Sequence, residues 1–423
     1  MIKSKQILLI AFVCISILCQ GQLVYNNGNQ VWLNNSANIV INGDIINAYG
    51  DITLTNSEST SSELIINGNA INNADITANG IISLSGNWYN NSNFTSDSGE
   101  MRLTGSSQLL SGTETTEFYS LIATASGIKT LTIDQEVYGI LDIADAEFST
   151  DEFQLVVLNT SINAIEYNEG FVSSDEGGSL VRLTSTEGKY VFPVGSHIGD
   201  DRVRPVFISQ YEDENAEYQV RFINNSATLN DMPVTSLDTL SEYINELFYH
   251  EVVRPIGNET VLLEIEFESE DGSFDGIVFW SALLSEAWTT IENSDFDETD
   301  ILCFADSVVL EEKVFFALSH KYIPEEPPPP PPEDPDFMIY NSFSPNGDDY
   351  NDTWIIDAIN TYPDCKISIY NRNGNLVYYS EGYETPWNGE FKGENVPDAT
   401  YYYIVDLYGD GSDLRKGNVT IIR

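Results

Sequence analysis

Four candidate oxygen ligands for a cation lie within seven positions near the C-terminal end of the 423-residue chain. They are Asn346, Asp348, Asn351 and Asp352, within the stretch NSFSPNGDDYNDTW (Asn341–Trp354). Carboxylate and amide oxygens at that density are what a hard cation such as Ca2+ selects. The same residue types also make turns without any ion. Asn and Asp side chains accept hydrogen bonds from nearby backbone N–H groups, and Gly adopts φ > 0 without a steric cost. The twelve-residue helix–loop–helix calcium pattern with its closing Glu is missing. Two readings therefore stand: a calcium cage, or a turn that satisfies itself.

Catalysis elsewhere is hard to assemble from the residues present. Between Gln22 and Thr184 the basic residues are Arg102, Lys129 and Arg182, and none recurs beside paired acids as polysaccharide cleavage would require. His197, His250 and His320 are far apart in sequence, and each reads as a core or surface histidine. There is no Gly-x-Ser-x-Gly, phosphate loop or zinc spacing. Trp32, Trp88, Tyr89, Trp280 and Trp288 offer faces on which sugars stack, or else fill cores. No enzyme is expected.

Composition narrows the partners. Asp and Glu number 66 against 18 Lys and Arg, and the net charge of -48 repels nucleic acid and anionic lipid. Hydrophobic residues at 42% and aromatics at 12% are enough to build cores. Lys3 and Lys5 precede the apolar run Ile7–Leu18, which is too short to span a bilayer and reads as a signal peptide over residues 1–21. Cleavage after Gly21 would make Gln22 the first mature residue. A lipoprotein reading at Cys19 is the alternative. Cys14 and Cys19 leave with the signal. Cys303 and Cys365 then read as two separate, reduced, buried thiols, because no redox or zinc spacing connects them.

These side chains must be carried by strands. IVINGD (Ile39–Asp44) is echoed by LIINGN, ISLSGN and MRLTGS, with Gly43, Gly68, Gly86 and Gly105 spaced 25, 18 and 19 residues apart. Repeats of this length, each burying its apolar face only on its neighbours, predict a parallel β-solenoid over residues 22–188. A meander of antiparallel hairpins is the alternative. The Asn-rich corners NNADITANG and NWYNNSNF are expected to supply left-handed turn residues. Longer alternating strands over 189–322 predict a β-sandwich, with Pro193 and Pro205 at strand edges or ends. Only Ser236–His250 could start a helix. Residues 323–337 are a stiff, acidic, Pro-rich linker. Residues 338–423 form a last β domain built on hairpins at KISIYNRNGNLVYY and around GDGS, with Ile422 and Arg423 inside the fold. The fold class is all-β.

The last segment resembles a known family, the gliding-motility-associated C-terminal domain, a type B sorting domain of type IX secretion in Bacteroidota. FSPNGDDYNDTW matches its leading signature, YPDCKISIYNRNGNLVY its central hairpin, WNG (Trp387–Gly389) its mid-domain mark, and VPDATYYYIV with GNVTIIR its closing strands. Asp349, Asn373 and Ala399 depart from the usual Gly, Trp and Gly, which bears on loop geometry. The resemblance implies an Ig-like β-sandwich whose sorting motif includes Ser344, Pro345, Asn346, Gly347, Asp348, Asn351, Asp352, Trp387 and Gly389. It also implies a partner, the type IX outer-membrane machinery, which recognises the folded domain after signal-peptide export and leaves the chain at the surface or outside the cell. Upstream, GGSLVRLTSTEGKYVFPVGS and RPVFIS resemble β-rich exported proteins of the same bacteria. The body is accordingly expected to act as an adhesin or surface-display module toward a polysaccharide or a host or substratum ligand. The alternative is a carbohydrate-binding or polysaccharide-degrading solenoid.

Overall fold

The computed structural model describes residues 22–34, 37–57, 60–174, 177–281, 286–299, 301–310, 313–322 and 337–423. The expected signal peptide and almost all of the Pro-rich linker lie outside the described residues. The chain divides into two compact units, one running to Pro324 and the other from Glu325. Among the described residues there is no α-helix, only two short 3-10 turns.

The repeat is a three-faced parallel solenoid. The first coil consists of Gln22–Asn27, Val31–Leu33 and Asn38–Ile41, and the second of Gly43–Tyr49, Ile52–Leu54 and Glu63–Ile66. Seven coils each place one strand on the third face, from Asn38–Ile41 to Ile165–Tyr167. The neighbouring strands on that face pair in parallel, which excludes the antiparallel meander. Register stacks like on like. Ile41, Ile66, Leu84, Leu103 and Ala123 form one buried column. Each full-size aliphatic side chain so enclosed contributes roughly 1.5–3 kcal/mol.

The corners work differently from expectation. None of the solenoid's described asparagines has a positive φ; Gly28, Gly50, Gly112 and Gly127 take that conformation there, with Ala144 and Asp151. The asparagines form a ladder instead. The Asn26 side-chain amide donates to Asn47 Oδ1 at 2.8 Å, Asn47 to Asn72 at 3.3 Å and Asn72 to Asn90 at 2.9 Å. Asn90 ends the series by donating to the carbonyls of Glu114 and Thr115. All four side chains are buried, so each amide needs the next coil for its partner. The recurring glycines meet a second demand. A Cβ on Gly86 would lie 2.4 Å from the Gly68 carbonyl, and one on Gly68 would lie 2.5 Å from that of Gly43.

The solenoid passes into the sandwich without a break. Ser179–Thr184 pairs in parallel with Gln154–Val157 on one side and antiparallel with Ala216–Ile223 on the other. From there the sheet continues through Tyr249–Ile256, Val314–Lys321, Gly276–Ser281 and Thr289–Thr290. A second antiparallel sheet runs in the order Gly188–Phe192, Val206–Gln210, Val261–Glu266, Leu302–Val308, Ser294–Asp297. Pro193 directly follows one of these strands and Pro205 directly precedes another. One apolar core extends from Leu33 in the first coil to Leu318 in the sandwich. Residues 236–250, the candidate helix start, instead supply Ser241–Ile244 and the beginning of Tyr249–Ile256. Asn245 Oδ1 accepts from the Leu247 and Phe248 amides, a local turn that stops helical winding, and Ile244 pairs with Ser319.

Two measurements follow from these buried polar groups. Asn72→Ala leaves one N–H of the Asn47 amide, whose other N–H keeps the Asp75 carbonyl, and the side-chain Oδ1 of Asn90 without their partners, so urea unfolding should show a loss of about 2–4 kcal/mol. His250 is buried against Phe222 and Phe248, with Nε2 2.9 Å from the Arg204 carbonyl oxygen. Burial lowers its pKa to about 4. The unfolded chain, with an ordinary imidazole near 6.5, therefore binds the proton first as pH falls. Relative to His250→Gln, the parent should lose stability between pH 6.5 and 4, by an amount on the order of 3 kcal/mol, and gain none of it back below that window.

Candidate functional site

The second unit builds its site from a five-stranded sheet in the order Ser342–Phe343, Leu414–Ile421, Thr400–Asp406, Lys366–Tyr370, Leu376–Glu381. The layer packed on it is thin, made of the hairpin Glu390–Phe391/Glu394–Asn395 and of loops carrying Trp354 and Trp387. Alternation in KISIY and TYYYIVD buries Ile367, Ile369, Tyr401 and Val405 on one face.

Sequence segments far apart are drawn together by hydrogen bonds. Trp354, which closes the leading stretch, donates its backbone N–H to the Trp387 carbonyl at 2.8 Å. Tyr383 links the same two residues: its hydroxyl donates to the Trp354 carbonyl and accepts from the Trp387 N–H, at 2.8 and 3.0 Å. The two indole N–H groups donate to the Tyr340 and Glu390 carbonyls. Trp354 and Trp387 are fully buried, so every polar group in this knot has an internal partner. Trp387 and Gly389, singled out from sequence, are thus buried supports.

Sequence reasoning placed Arg423 in the fold and missed what it does. Its guanidinium donates to three carbonyls, those of Val396 at 2.7 Å, Gly389 at 3.2 Å and Pro345 at 3.3 Å. It also pairs with Asp398, and that contact holds the Asp398 carboxyl below its ordinary value. The leading stretch, the WNG mark and the VPDA segment therefore meet on one side chain. The signal available was a lone basic residue after the strand ending at Ile421, in a chain poor in basic residues.

The acidic loop is wired to its own backbone. Asp352 accepts from the Gly347 N–H at 2.7 Å and the Asp349 N–H at 2.8 Å, and these donors, Gly347 first, hold its carboxyl below the usual range. Asp348 accepts from the Tyr350 N–H and from the Asn346 amide, while Asn346 Oδ1 accepts from the Asp348 N–H. The Asn351 backbone carbonyl accepts from the Ser344 N–H. Asn346, Asp348 and Asp352 thus spend oxygens on the turn. Among the described residues no group of three or more His, Cys, Asp or Glu is placed to hold a metal. Asp349 has φ 68° and Asn351 φ 53°, so Asp349 sits where the sorting-domain pattern carries Gly. That conformation costs a non-glycine residue roughly 1 kcal/mol, less for Asp than for most. Ala399 has no positive φ, and its carbonyl accepts from the Ile421 N–H.

One edge of the sheet, Leu376–Glu381, has a sheet neighbour on one side only. Beside it opens a cleft of about 1100 Å³ whose walls include Tyr362, Tyr378, Glu381, Tyr383, Glu384 and Trp387. Carboxylates and tyrosines on its rim suit a polar or basic partner segment.

In the first unit the other candidates separate. Trp88 and Trp288 are buried, donating to Thr116 Oγ1 and the Met232 carbonyl. Trp280 packs edge-on to Trp288, and Tyr89 is half-buried. Trp32 is 53% exposed. Arg102 pairs with Glu100; buried Lys129 donates to the Gly105 carbonyl; buried Arg182 holds the carbonyls of Ser161, Ile162 and Val191. His197 pairs with Glu147, His250 faces the Arg204 carbonyl and His320 pairs with Asp275. Cys303 and Cys365 are free thiols, each in the core of its own unit, and burial raises the Cys303 thiol to about 12.

Residues 337–421 match the family model of the CHU_C type IX secretion signal domain. No curated protein and no solved structure matches the chain. The chain therefore carries a type IX C-terminal sorting domain. That signal implies engagement with the type IX machinery and export to the cell surface or the extracellular space.

Arg423→Ala should lower the thermal midpoint of the second unit, with a loss of about 1.5–3 kcal/mol in denaturant unfolding. Arg423→Lys should recover only part of it, because one ammonium cannot span the carbonyls that the planar guanidinium holds.

Proposed function

We propose that this chain, which bears a type IX secretion signal domain at residues 337–421, is a non-enzymatic surface-display or adhesive protein. In this reading residues 1–21 take it across the inner membrane as a cleaved signal peptide. The Pro-rich stretch then joins the cargo to the sorting domain. The observation that carries the proposal is the pairing of that signal with a solenoid whose basic side chains are all committed to structure. Arg102 is paired with Glu100, and Lys129 and Arg182 are buried on carbonyls. A long body of stacked coils with alternating outward side chains suits a stalk or a polymer-contacting surface. A second reading, carbohydrate binding, is favoured by Trp32, an exposed indole beside a small cavity of about 130 Å³.

The sorting role is tested by placing residues 337–423 behind residues 1–21 and a fluorescent reporter. The reporter should reach the surface or medium only in a host with type IX machinery. Periplasmic retention of a folded fusion in such a host would refute it. Retention of the purified body on a polysaccharide matrix, lost in Trp32→Ala, would favour carbohydrate binding. Loss of cell attachment on deleting the body, without such retention, would favour the adhesive reading.

A further inference from the structure

The first coil differs from the rest of the chain in charge. Between Gln22 and Gly43 there is no Asp, Glu, Lys or Arg, although charged residues make up 20% of the whole. Its three strands each stand at the end of their sheet, so three parallel edges face outward. Leu23, Tyr25, Trp32 and Val40 are all more than half exposed there, and Tyr49 of the second coil adds to them. Natural sheets guard such edges with charges or prolines, and Gln22–Gly43 contains neither. Apolar surface collected at an unguarded edge marks an interaction site.

We propose that this end of the solenoid is the interface for a second copy of the same chain, docked N-terminal end to N-terminal end. Charge selects the occupant. Two bodies this acidic repel over most of their surfaces, and the uncharged end is where they can meet without juxtaposing carboxylates. Symmetry limits the assembly. An edge strand meeting its own copy about a two-fold axis runs antiparallel to it, which is a self-complementary arrangement. At the opposite end two of the three faces are continued: Ser179–Thr184 into Ala216–Ile223 on one, and Val172 by a bridge to Val194 on another. The third face ends at Ile165–Tyr167, a single short strand that carries Glu166, so head-to-tail growth finds no matching uncharged end there and association is expected to stop at a dimer. The proposal rests on the reading above only in taking residues 1–21 to be removed.

Sedimentation of purified residues 22–423 needs no export machinery, so its failure is distinct from failure of the sorting role. Dimers should form below about 100 μM, and 0.5 M salt should strengthen them relative to about 0.05 M by screening the acidic bodies. Trp32→Glu and Val40→Asp change exposed side chains, so the thermal midpoint should hold. Each charge enters a two-fold contact twice and should weaken association at least tenfold, by about 1.4 kcal/mol. Leu229→Glu, an exposed position in the sandwich, should have no effect. The proposal is overturned if the parent stays monomeric at about 100 μM, if it forms species larger than dimers, or if the charged variants associate as before. A monomer held on a polysaccharide matrix through Trp32 would make this surface a sugar site and would equally overturn it.

Discussion

Every coil of this protein depends on its neighbours for the satisfaction of its buried polar groups. A parallel solenoid buries apolar columns, and columns alone would tolerate slippage by a repeat. The Asn26–Asn47–Asn72–Asn90 ladder removes that tolerance. Each rung donates forward and accepts from behind, so a misplaced coil leaves two amide groups unpaired in an apolar interior. The Gly43–Gly68–Gly86 corner adds a steric condition, since Gly68 lies against the Gly43 backbone and Gly86 against that of Gly68, where a Cβ has no room. Register is therefore fixed by hydrogen bonding and by shape at separate corners of the same coil.

Beyond Asn90 the same need is met by other side chains. Gln108 reaches back to the carbonyls of Leu84 and Gly86, and Lys129 to that of Gly105. The ladder stops because Gly112 occupies the rung opposite Asn90. At the far end Arg182 closes three carbonyls and packs over the Tyr190 ring, on the strand where parallel pairing gives way to antiparallel. The solenoid and the sandwich thus share a sheet and a core, and Arg182, a basic side chain that might have suggested chemistry, is a fastener of that joint.

The sorting domain applies the same economy to a small sheet. Trp354, Tyr383 and Trp387 satisfy one another's backbone groups, and Arg423 gathers Pro345, Gly389 and Val396. A transporter reading this domain meets a surface whose loops are held from beneath. The acidic loop is outward-facing, and the Asp348 and Asp352 carboxylates face its own amides, which gives it a defined shape.

Repeat spacing, strand alternation, prolines at strand ends and the ordered motifs of the last segment were legible in the residues themselves, because each is a local pattern with a fixed physical period. They determined an all-β chain, a repeating body and a sorting domain. The residues did not disclose that the corner asparagines form a buried ladder rather than left-handed turns. A ladder depends on which repeats stack, and that is a register property of distant segments. Nor did they show that residues 236–250 pair with Val314–Lys321 instead of winding into a helix, since apolar spacing there suits either outcome until a sheet edge is present. The fates of Trp88, Trp288, Lys129 and Arg182 were decided in the same way. A tryptophan can stack on sugar or fill a core, and a lysine can bear charge outward or cap a carbonyl within. Only packing, which fixes the dielectric and the partners around each group, selects between them.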